Sequence, residues 1–191
     1  MTIEGRLIRL RAIEPSDAQR ATVWINDREV TKNLMARYPI SLAAEREWAE
    51  SASKSEYQEV RLAIETLERA HIGFCGLHHG RPEDRHAELG IMIGDKDYWN
   101  RGYGTDAMLT LVRFAFDTLN MHKVTLGVFA PNERARAVYR KIGFVEEGRS
   151  RDDYFQDGRY WDIVRMSVLE DEFRALHDAA EPSFAAETAQ P

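Results

Sequence analysis

The stretch Trp99-Asn-Arg-Gly-Tyr-Gly-Thr-Asp-Ala107 decides the expected fold, because it joins a strand-like segment to a helix-like one. Just before it, Leu89-Gly-Ile-Met-Ile93 is an apolar run typical of a buried strand. After it, apolar residues recur at helical spacing, namely Met108, Leu111, Val112, Ala115 and Leu119. The first N–H groups of a helix lack partners within the helix, and with the helix dipole they attract anions. The stretch therefore predicts a phosphate site, although a Gly-x-Gly sequence also occurs in ordinary strand-to-helix turns.

A second strand-helix pair follows the first. Val124-Thr-Leu-Gly-Val-Phe129 alternates and is rich in β-branched residues, as strands are. Asn132 is suited to cap the next helix and Gly143 to end it. Tyr139 lies two turns beyond Asn132, so both residues face nearly the same side of that helix. The pattern predicts a polar cap and a phenol along one side of a short helix.

Together these segments resemble the GNAT superfamily of N-acetyltransferases, which move an acetyl group from acetyl-CoA to an amine. The resemblance rests on residues 87–93, on the loop 101–105 and on the motif Asn132-x-x-Ala-x-x-x-Tyr139-x-Lys-x-Gly-Phe144. Near the end of the chain, Asp157-Gly-Arg-Tyr-Trp-Asp162 is similar to the branch that contains ribosomal-protein N-terminal acetyltransferases and spermidine acetyltransferases. At Trp99 the superfamily most often has Gln or Arg, but Trp is common in this branch.

The resemblance implies an α/β fold with a mixed, mostly antiparallel central sheet flanked by helices. Its two middle strands would splay apart, and the pantetheine of acetyl-CoA, the acyl donor, would lie in the gap. Backbone N–H groups near Met92, Ile93 and Gly94 are the implied partners of the acetyl carbonyl oxygen. The residues implied in cofactor binding are Met92, Ile93, Arg101, Gly102, Tyr103, Gly104, Thr105, Asn132 and Lys141.

The chemistry of acetyl transfer indicates two catalytic candidates, because the amine must lose a proton and the leaving thiolate must be stabilised. Glu88, on the strand that enters the loop, is the predicted general base, with a merely exposed or hydrogen-bonded strand carboxylate as the alternative. Tyr139 is the predicted general acid, with a buried core tyrosine as the alternative. Asp153 and Tyr154 are weaker candidates for binding the amine.

Histidine and cysteine add little to this interpretation. His78 and His79 end a strand in the same region, but neighbouring residues of a strand point to opposite faces, so at most one could take part. The six histidines show no spacing typical of metal ligands, and no metal is predicted. Cys75, the single cysteine, lies in an apolar run, which favours a buried structural thiol and excludes an internal disulfide.

Composition limits the remaining functions. The 191 residues are 43% hydrophobic and carry a formal net charge of -6, which argues against non-specific nucleic-acid binding. No signal-peptide pattern and no membrane-spanning apolar run is present, so a cytoplasmic protein is expected. We expect a single acetyltransferase domain over residues 1–170. Residues 171–191 are expected to form a short helix, beginning at residue 170, and then a disordered tail.

The periodicities predict an element order along the chain. Strands are expected at 6–11, 59–65, 70–79, 86–93, 124–129, 144–151 and 160–169, and a loop with a possible helical turn at 30–40. Helices are expected at 14–26, 41–53, after the glycine-rich loop, after Asn132, and at 170–179.

Two functions remain open from the sequence. The first is direct acetyl transfer to a primary amine, either a protein N-terminus, a polyamine or another small amine. The second is a CoA-binding regulatory module with the same fold and no turnover, and the intact Glu88, Asn132 and Tyr139 favour the first. Dimers are common in this branch, so a homodimer is compatible with the resemblance.

Overall fold

The computed structural model describes residues 2–177. Its strands are β1 (Ile3–Glu4), β2 (Ile8–Ala12), β3 (Val60–Thr66), β4 (His71–Arg81), β5 (His86–Ile93), β6 (Lys123–Phe129), β7 (Val145–Gln156) and β8 (Arg159–Leu169). Its helices are α1 (Ala18–Ile25), α2 (Arg28–Thr31), α3 (Leu42–Ala52), α4 (Tyr103–Asp117), α5 (Glu133–Ile142) and α6 (Glu170–His177).

These strands form one mixed sheet in the order β1-β2-β3-β4-β5-β6-β8-β7. β5 and β6 run parallel, while the other neighbouring pairs are antiparallel. Two parallel neighbours need a crossover connection, and α4 provides it. The sheet is therefore antiparallel except at its centre, as the sequence predicts.

The two middle strands separate soon after they meet. Their pairing begins at His86 opposite Lys123 and ends at Glu88 opposite Thr125. Beyond Glu88, β5 continues against β4 alone, and β6 continues against β8 alone. The expected splay is confirmed, and it opens a gap at the centre of the sheet.

Helices cover the sheet on both faces. On one face, α4 and α5 bury Leu111, Val112 and Ile142 in the main core. On the other face, α1 and α3 pack over β3 and β4, where Ala63 and Phe74 are buried. On the same face, Glu88 and Arg165 lie beside the central gap and are partly exposed.

A buried carboxylate fixes the start of α4. The Asp106 side chain accepts hydrogen bonds from the backbone N–H groups of Arg6, Leu7 and Ile8 at 3.1, 2.8 and 3.1 Å. Asp106 is buried, so these hydrogen bonds are shielded from water. They hold the first turn of α4 against the beginning of β2.

The single cysteine lies in the core of the sheet. Cys75, on β4, is buried between Leu62 of β3 and Ile91 of β5. Burial raises the pKa of its thiol well above the usual range. The prediction of a buried structural thiol is confirmed.

The predicted elements are present, with a few differences. The structure adds the short strand β1, and helix α2 in a region with little apolar periodicity. The α2 helix begins because the Asp27 side chain accepts a hydrogen bond from the backbone N–H of Glu29. β7 extends five residues beyond its predicted end at residue 151, because Tyr154 to Gln156 pair with the start of β8. The predicted tail, and the end of the last predicted helix, lie outside the described residues.

Candidate active site

The gap between β5 and β6 opens into a cavity of about 470 Å³. Its wall includes the end of β5, the loop before α4, the first turns of α4, and one side of α5. Six residues predicted for the site lie in this wall, namely Ile93, Gly102, Gly104, Thr105, Asn132 and Tyr139. The fold thus brings together two sequence motifs that are about 30 residues apart.

The loop before α4 leaves the helix start open. Gly102 is the N-cap residue, with φ of 88°, in the left-handed region that favours glycine. No side chain caps this helix, so the N–H groups of its first turn keep no side-chain partner within the described residues. A Cβ added to Gly104 would lie 3.5 Å from the Ile93 side chain and would project into the cavity wall. This arrangement fits a phosphate group on the helix axis.

Of the three N–H groups implied near the end of β5, only that of Ile93 is directed to the gap. Gly94 donates its N–H to Ile72 O of β4 at 2.9 Å, so this N–H is not directed into the gap as the resemblance implied. Strand N–H groups alternate in direction, so that of Met92 also points to β4 and that of Ile93 points to the gap. Trp99 holds this geometry, since its Nε1 donates a 2.8 Å hydrogen bond to Ile93 O.

The start of α5 is closed by its own cap. Asn132 accepts a hydrogen bond from the backbone N–H of Ala135 at 3.2 Å through its side-chain oxygen. The same residue lines the cavity, so the capping role and contact with a ligand are compatible. Gly143, with φ of 114°, ends the helix as predicted.

Tyr139 lies on the cavity side of α5. Its ring packs against Phe144 with centroids 6.1 Å apart. Burial raises the pKa of its hydroxyl to about 12, because the phenolate would be poorly solvated there. The hydroxyl is therefore protonated at neutral and mildly alkaline pH, as a proton donor must be.

Glu88 lies on the face of the sheet that carries α1 and α3, at the last residue paired between β5 and β6. Its carboxylate is 3.7 Å from the Arg165 guanidinium of β8. Arg165 also lies 3.6 Å from Asp153 of β7, so one guanidinium is shared by two carboxylates. Glu88 is thus beside the gap and outside the cavity wall that contains Tyr139.

The other predicted cofactor residues lie around the cavity rather than in its wall. Met92 packs among the residues under α1 and α3. Arg101 is exposed and lies 5.8 and 5.9 Å from the ring centres of Tyr98 and Tyr103. Lys141 is exposed on the last turn of α5.

Sequence reasoning missed one part of the wall. Glu29, Val30 and Lys32, in and just after α2, face the cavity. Lys96 ties this short helix to the turn after β5, since its Nζ bonds the carboxylates of Asp27 and Glu29 at 2.8 and 2.9 Å. The Asp-x-Glu pattern before an apolar Val30 was the available signal, but four residues show no helical periodicity.

Among residues 2–177, no group of three or more His, Cys, Asp or Glu side chains is arranged to hold a metal ion. None of the helices in this range is long and apolar enough to span a membrane.

Comparison with known proteins gives consistent matches. The family model described as "Acetyltransferase (GNAT) domain" matches residues 7–145. The putative ribosomal N-acetyltransferase YdaF of Bacillus subtilis is 32% identical over 172 residues, which are 87% of this chain and 93% of that protein. The spermidine N(1)-acetyltransferase of Vibrio cholerae is 28% identical over 167 residues, 86% of this chain and 94% of that protein.

Solved structures agree with this result. The crystal structure of spermidine N-acetyltransferase from Vibrio cholerae, in complex with CoA and spermine, superposes with a TM-score of 0.81. The two chains are 27% identical, and the match covers 87% of this chain and 98% of the other.

Proposed function

The chain belongs to the GNAT acetyltransferase family and is an acetyl-CoA-dependent N-acetyltransferase, and from that premise we propose that the acetyl group passes directly to a primary amine at the gap between β5 and β6. The observation that carries this proposal is the gap itself. It lies between the cavity beside α4 and α5 and the sheet face that carries Glu88 and Arg165. The donor would bind on the first side and the amine on the second.

The open start of α4 supports the donor side of the proposal. Acetyl-CoA supplies a thioester whose carbonyl carbon accepts the amine. The N–H groups after Gly102 would hold its pyrophosphate, with Gly104 and Thr105 beside it in the cavity wall. Arg101 and Lys141, exposed near the cavity, would pair with outer phosphate charges. Asp106 keeps this helix start in place through its hydrogen bonds to the chain before β2.

Two groups in the gap have the right chemistry for the transfer. The N–H of Ile93 would donate to the carbonyl oxygen as negative charge develops there. The hydroxyl of Tyr139 would donate to the departing sulfur, and its raised pKa of about 12 keeps it protonated for that purpose. No covalent enzyme intermediate is needed, and the buried Cys75 is not available for one.

The acceptor is a primary amine, and the relatives suggest two classes of it. One relative is named for ribosomal acetylation and another for spermidine. Glu88 and Asp153 lie on the acceptor side, where carboxylates can attract an ammonium group. A cytoplasmic location, a homodimer and a single domain over residues 1–170 stay predictions from the sequence.

The test is release of free thiol from acetyl-CoA in the presence of an acceptor panel. The panel contains spermidine, spermine, peptides with free N-termini, and amino acids, and calorimetry measures CoA binding in parallel. Thiol release with one acceptor class, and a mass increase of that acceptor by one acetyl group, supports the proposal. Tight CoA binding without release for any acceptor would favour the regulatory module.

A further inference from the structure

The sheet face beside the gap holds a histidine-carboxylate pair that the proposed function has not used. Nδ1 of His78, on β4, lies 2.5 Å from Oε1 of Glu59, the residue just before β3. Arg61 holds the same oxygen, with its Nη2 nitrogen 3.2 Å away. The Glu59 carboxylate is thus fixed from two sides. A histidine oriented by a carboxylate is a common arrangement for a general base.

The contact also sets the tautomer of the ring. A carboxylate can only accept, so Nδ1 of neutral His78 carries the proton and Nε2 keeps its lone pair. The hydrogen bond to Nδ1 is the one side-chain bond of His78 within residues 2–177, which leaves Nε2 without a protein partner there. His78 is about one-third exposed, so a ligand on this face can reach it.

Glycines make room for the ring and direct it toward the gap. A Cβ added to Gly76, on the same strand, would lie 3.2 Å from Nε2. A Cβ added to Gly90, on the neighbouring strand β5, would also lie 3.2 Å from Nε2. Gly90 comes two residues after Glu88, where β5 has already separated from β6. The free nitrogen of His78 therefore lies between β4 and β5, and β5 forms one wall of the gap.

The opposite wall is lined by side chains of β8 and β5. A Cβ added to Gly127 of β6 would lie 3.2 Å from the Ile163 side chain. It would also lie 3.3 Å from Arg165 and 3.8 Å from Glu88. The acceptor side of the gap therefore has His78 on one side and the Glu88–Arg165 pair on the other.

We propose that His78 is the general base of this acetyltransferase, oriented by Glu59, and that Glu88 attracts the acceptor's ammonium group without taking its proton. This rests on the proposed function above. Glu88 shares its charge with Arg165, whereas Nε2 of His78 is free. Histidine is also the side chain that ordinarily changes charge between pH 5 and 8.

The proton balance of the step is complete. The ammonium gives one proton to Nε2 of His78, which passes it to water. The free amine then forms a C–N bond with the acetyl carbon, the C–S bond breaks, and the nitrogen gives its second proton to water. The departing sulfur takes a proton from Tyr139, which regains one from solvent. Ammonium and thioester thereby give amide, thiol and one released proton.

Several charged and titratable groups face His78 and bear on the pH dependence of the reaction. Glu59 and Arg61 face it from the β3 side, and Glu88 faces it from β5. The ring of His79 lies 6.5 Å away on its own strand, and Arg165 lies beyond Glu88. Burial opposes the charge of Glu59, but the hydrogen bond with His78 and the charges of His78 and Arg61 lower its pKa overall. The Glu59 carboxylate therefore stays charged at neutral pH.

The test compares His78→Asn with His79→Asn. Asparagine can keep the hydrogen bond to Glu59 but has no atom at the Nε2 position. It also tolerates the left-handed backbone of His79, whose φ is 54°. With the amine that the parent enzyme accepts, His78→Asn should lower kcat/KM at pH 7 by about 10²- to 10⁴-fold. The loss should shrink as pH rises and the amine deprotonates by itself, whereas His79→Asn should match the parent.

Three further measurements make the result decisive. Glu59→Gln should give a smaller defect with the same pH trend. Glu88→Gln should raise the KM of the amine at every pH. It should keep the fall of kcat/KM at low pH, which is the acidic limb of the pH profile. Calorimetry should show unchanged acetyl-CoA affinity for all four variants, and His78→Gln replaces His78→Asn if the latter does not fold.

The inference is overturned if the His78 variant keeps the parent's activity or loses it equally at every pH. It is also overturned if Glu88→Gln alone abolishes the acidic limb. Failure of the proposed function looks different, because the parent itself would then release no thiol with any amine. That outcome overturns the proposed function and this inference together.

Discussion

The two strand-to-helix connections beside the gap are built alike but end differently. β5 leads into α4 through Gly102, and no side chain caps that helix. β6 leads into α5 through Asn132, whose side chain accepts from the backbone N–H of Ala135. One helix start is therefore left open to a ligand, while the other is closed by the protein.

This difference between the two helix starts suggests different roles for α4 and α5. The open helix start of α4 offers backbone donors and no reactive side chain, which suits binding. The closed α5 is held as a rigid support and carries Tyr139 into the cavity. On our proposal, similar local structures would serve the donor's phosphates in one case and the departing sulfur in the other.

Replacing Tyr139 with phenylalanine tests the catalytic half of this comparison. The ring and its packing against Phe144 remain, but the proton donor is lost. Turnover should fall by about 10²- to 10⁴-fold, with little change in acetyl-CoA affinity. Because burial raises the pKa of the hydroxyl to about 12, the phenol stays protonated at every working pH. Steady-state rates between pH 6 and 10 should therefore drop without a shift in the profile.

A variant that keeps its turnover but melts several degrees lower would assign Tyr139 to the core instead. The division of work between α4 and α5 would then be wrong.

Replacing Gly104 with valine tests the binding half. The new side chain would enter the cavity wall near Ile93, where phosphate is expected. Acetyl-CoA affinity by calorimetry should weaken by at least about tenfold, while the fold stays intact. Gly102→Ala is the companion variant. Alanine in the left-handed backbone conformation of Gly102 should lower thermal stability, even though there is space for its methyl group. Equal affinity in parent and Gly104→Val would place the phosphates elsewhere.

Trp99→Phe sharpens the comparison on the β5 side. Phenylalanine keeps an aromatic ring but loses the 2.8 Å hydrogen bond to Ile93 O. A hydrogen bond of this kind contributes about 1 kcal/mol, so turnover should fall by about fivefold as the Ile93 N–H loses its fixed direction. The measurement is kcat with acetyl-CoA saturating. Unchanged kcat with a lower melting temperature would leave Trp99 a purely structural residue.

Asn132→Ala gives the smallest effect and tests the closed helix. Loss of the cap should lower the free energy of unfolding by about 1 kcal/mol, or the melting temperature by roughly 2–4 °C. Asn132→Asp, which can still cap, is the matched control for denaturant unfolding. A much larger loss of acetyl-CoA affinity than of stability would show that Asn132 acts mainly on the donor.

Local patterns explain what the sequence could predict. The periodicity on both sides of residues 99–107, and the glycines within them, indicated the strand, the open turn and α4. Asn132 and Gly143 marked both ends of α5 correctly. These features depend on neighbours in the chain, so one sequence is enough to find them.

Contacts between distant residues were beyond such reasoning. Glu59 meets His78 across 19 positions, and Arg165 meets Glu88 across 77, because strand order and register bring them together. The direction of the Gly94 N–H likewise follows from its pairing with Ile72. The helix α2 was missed because a single turn carries too little periodicity to detect.

The burial of Cys75 has a practical consequence for measuring this enzyme. Thiol reagents react with thiolates, and a buried thiol with a raised pKa forms almost no thiolate at neutral pH. Because Cys75 is the single cysteine of the chain, the folded enzyme should not react with a colorimetric thiol reagent. The absorbance from a chromogenic disulfide reagent would then report only the CoA thiol released in the reaction, without a protein background to subtract.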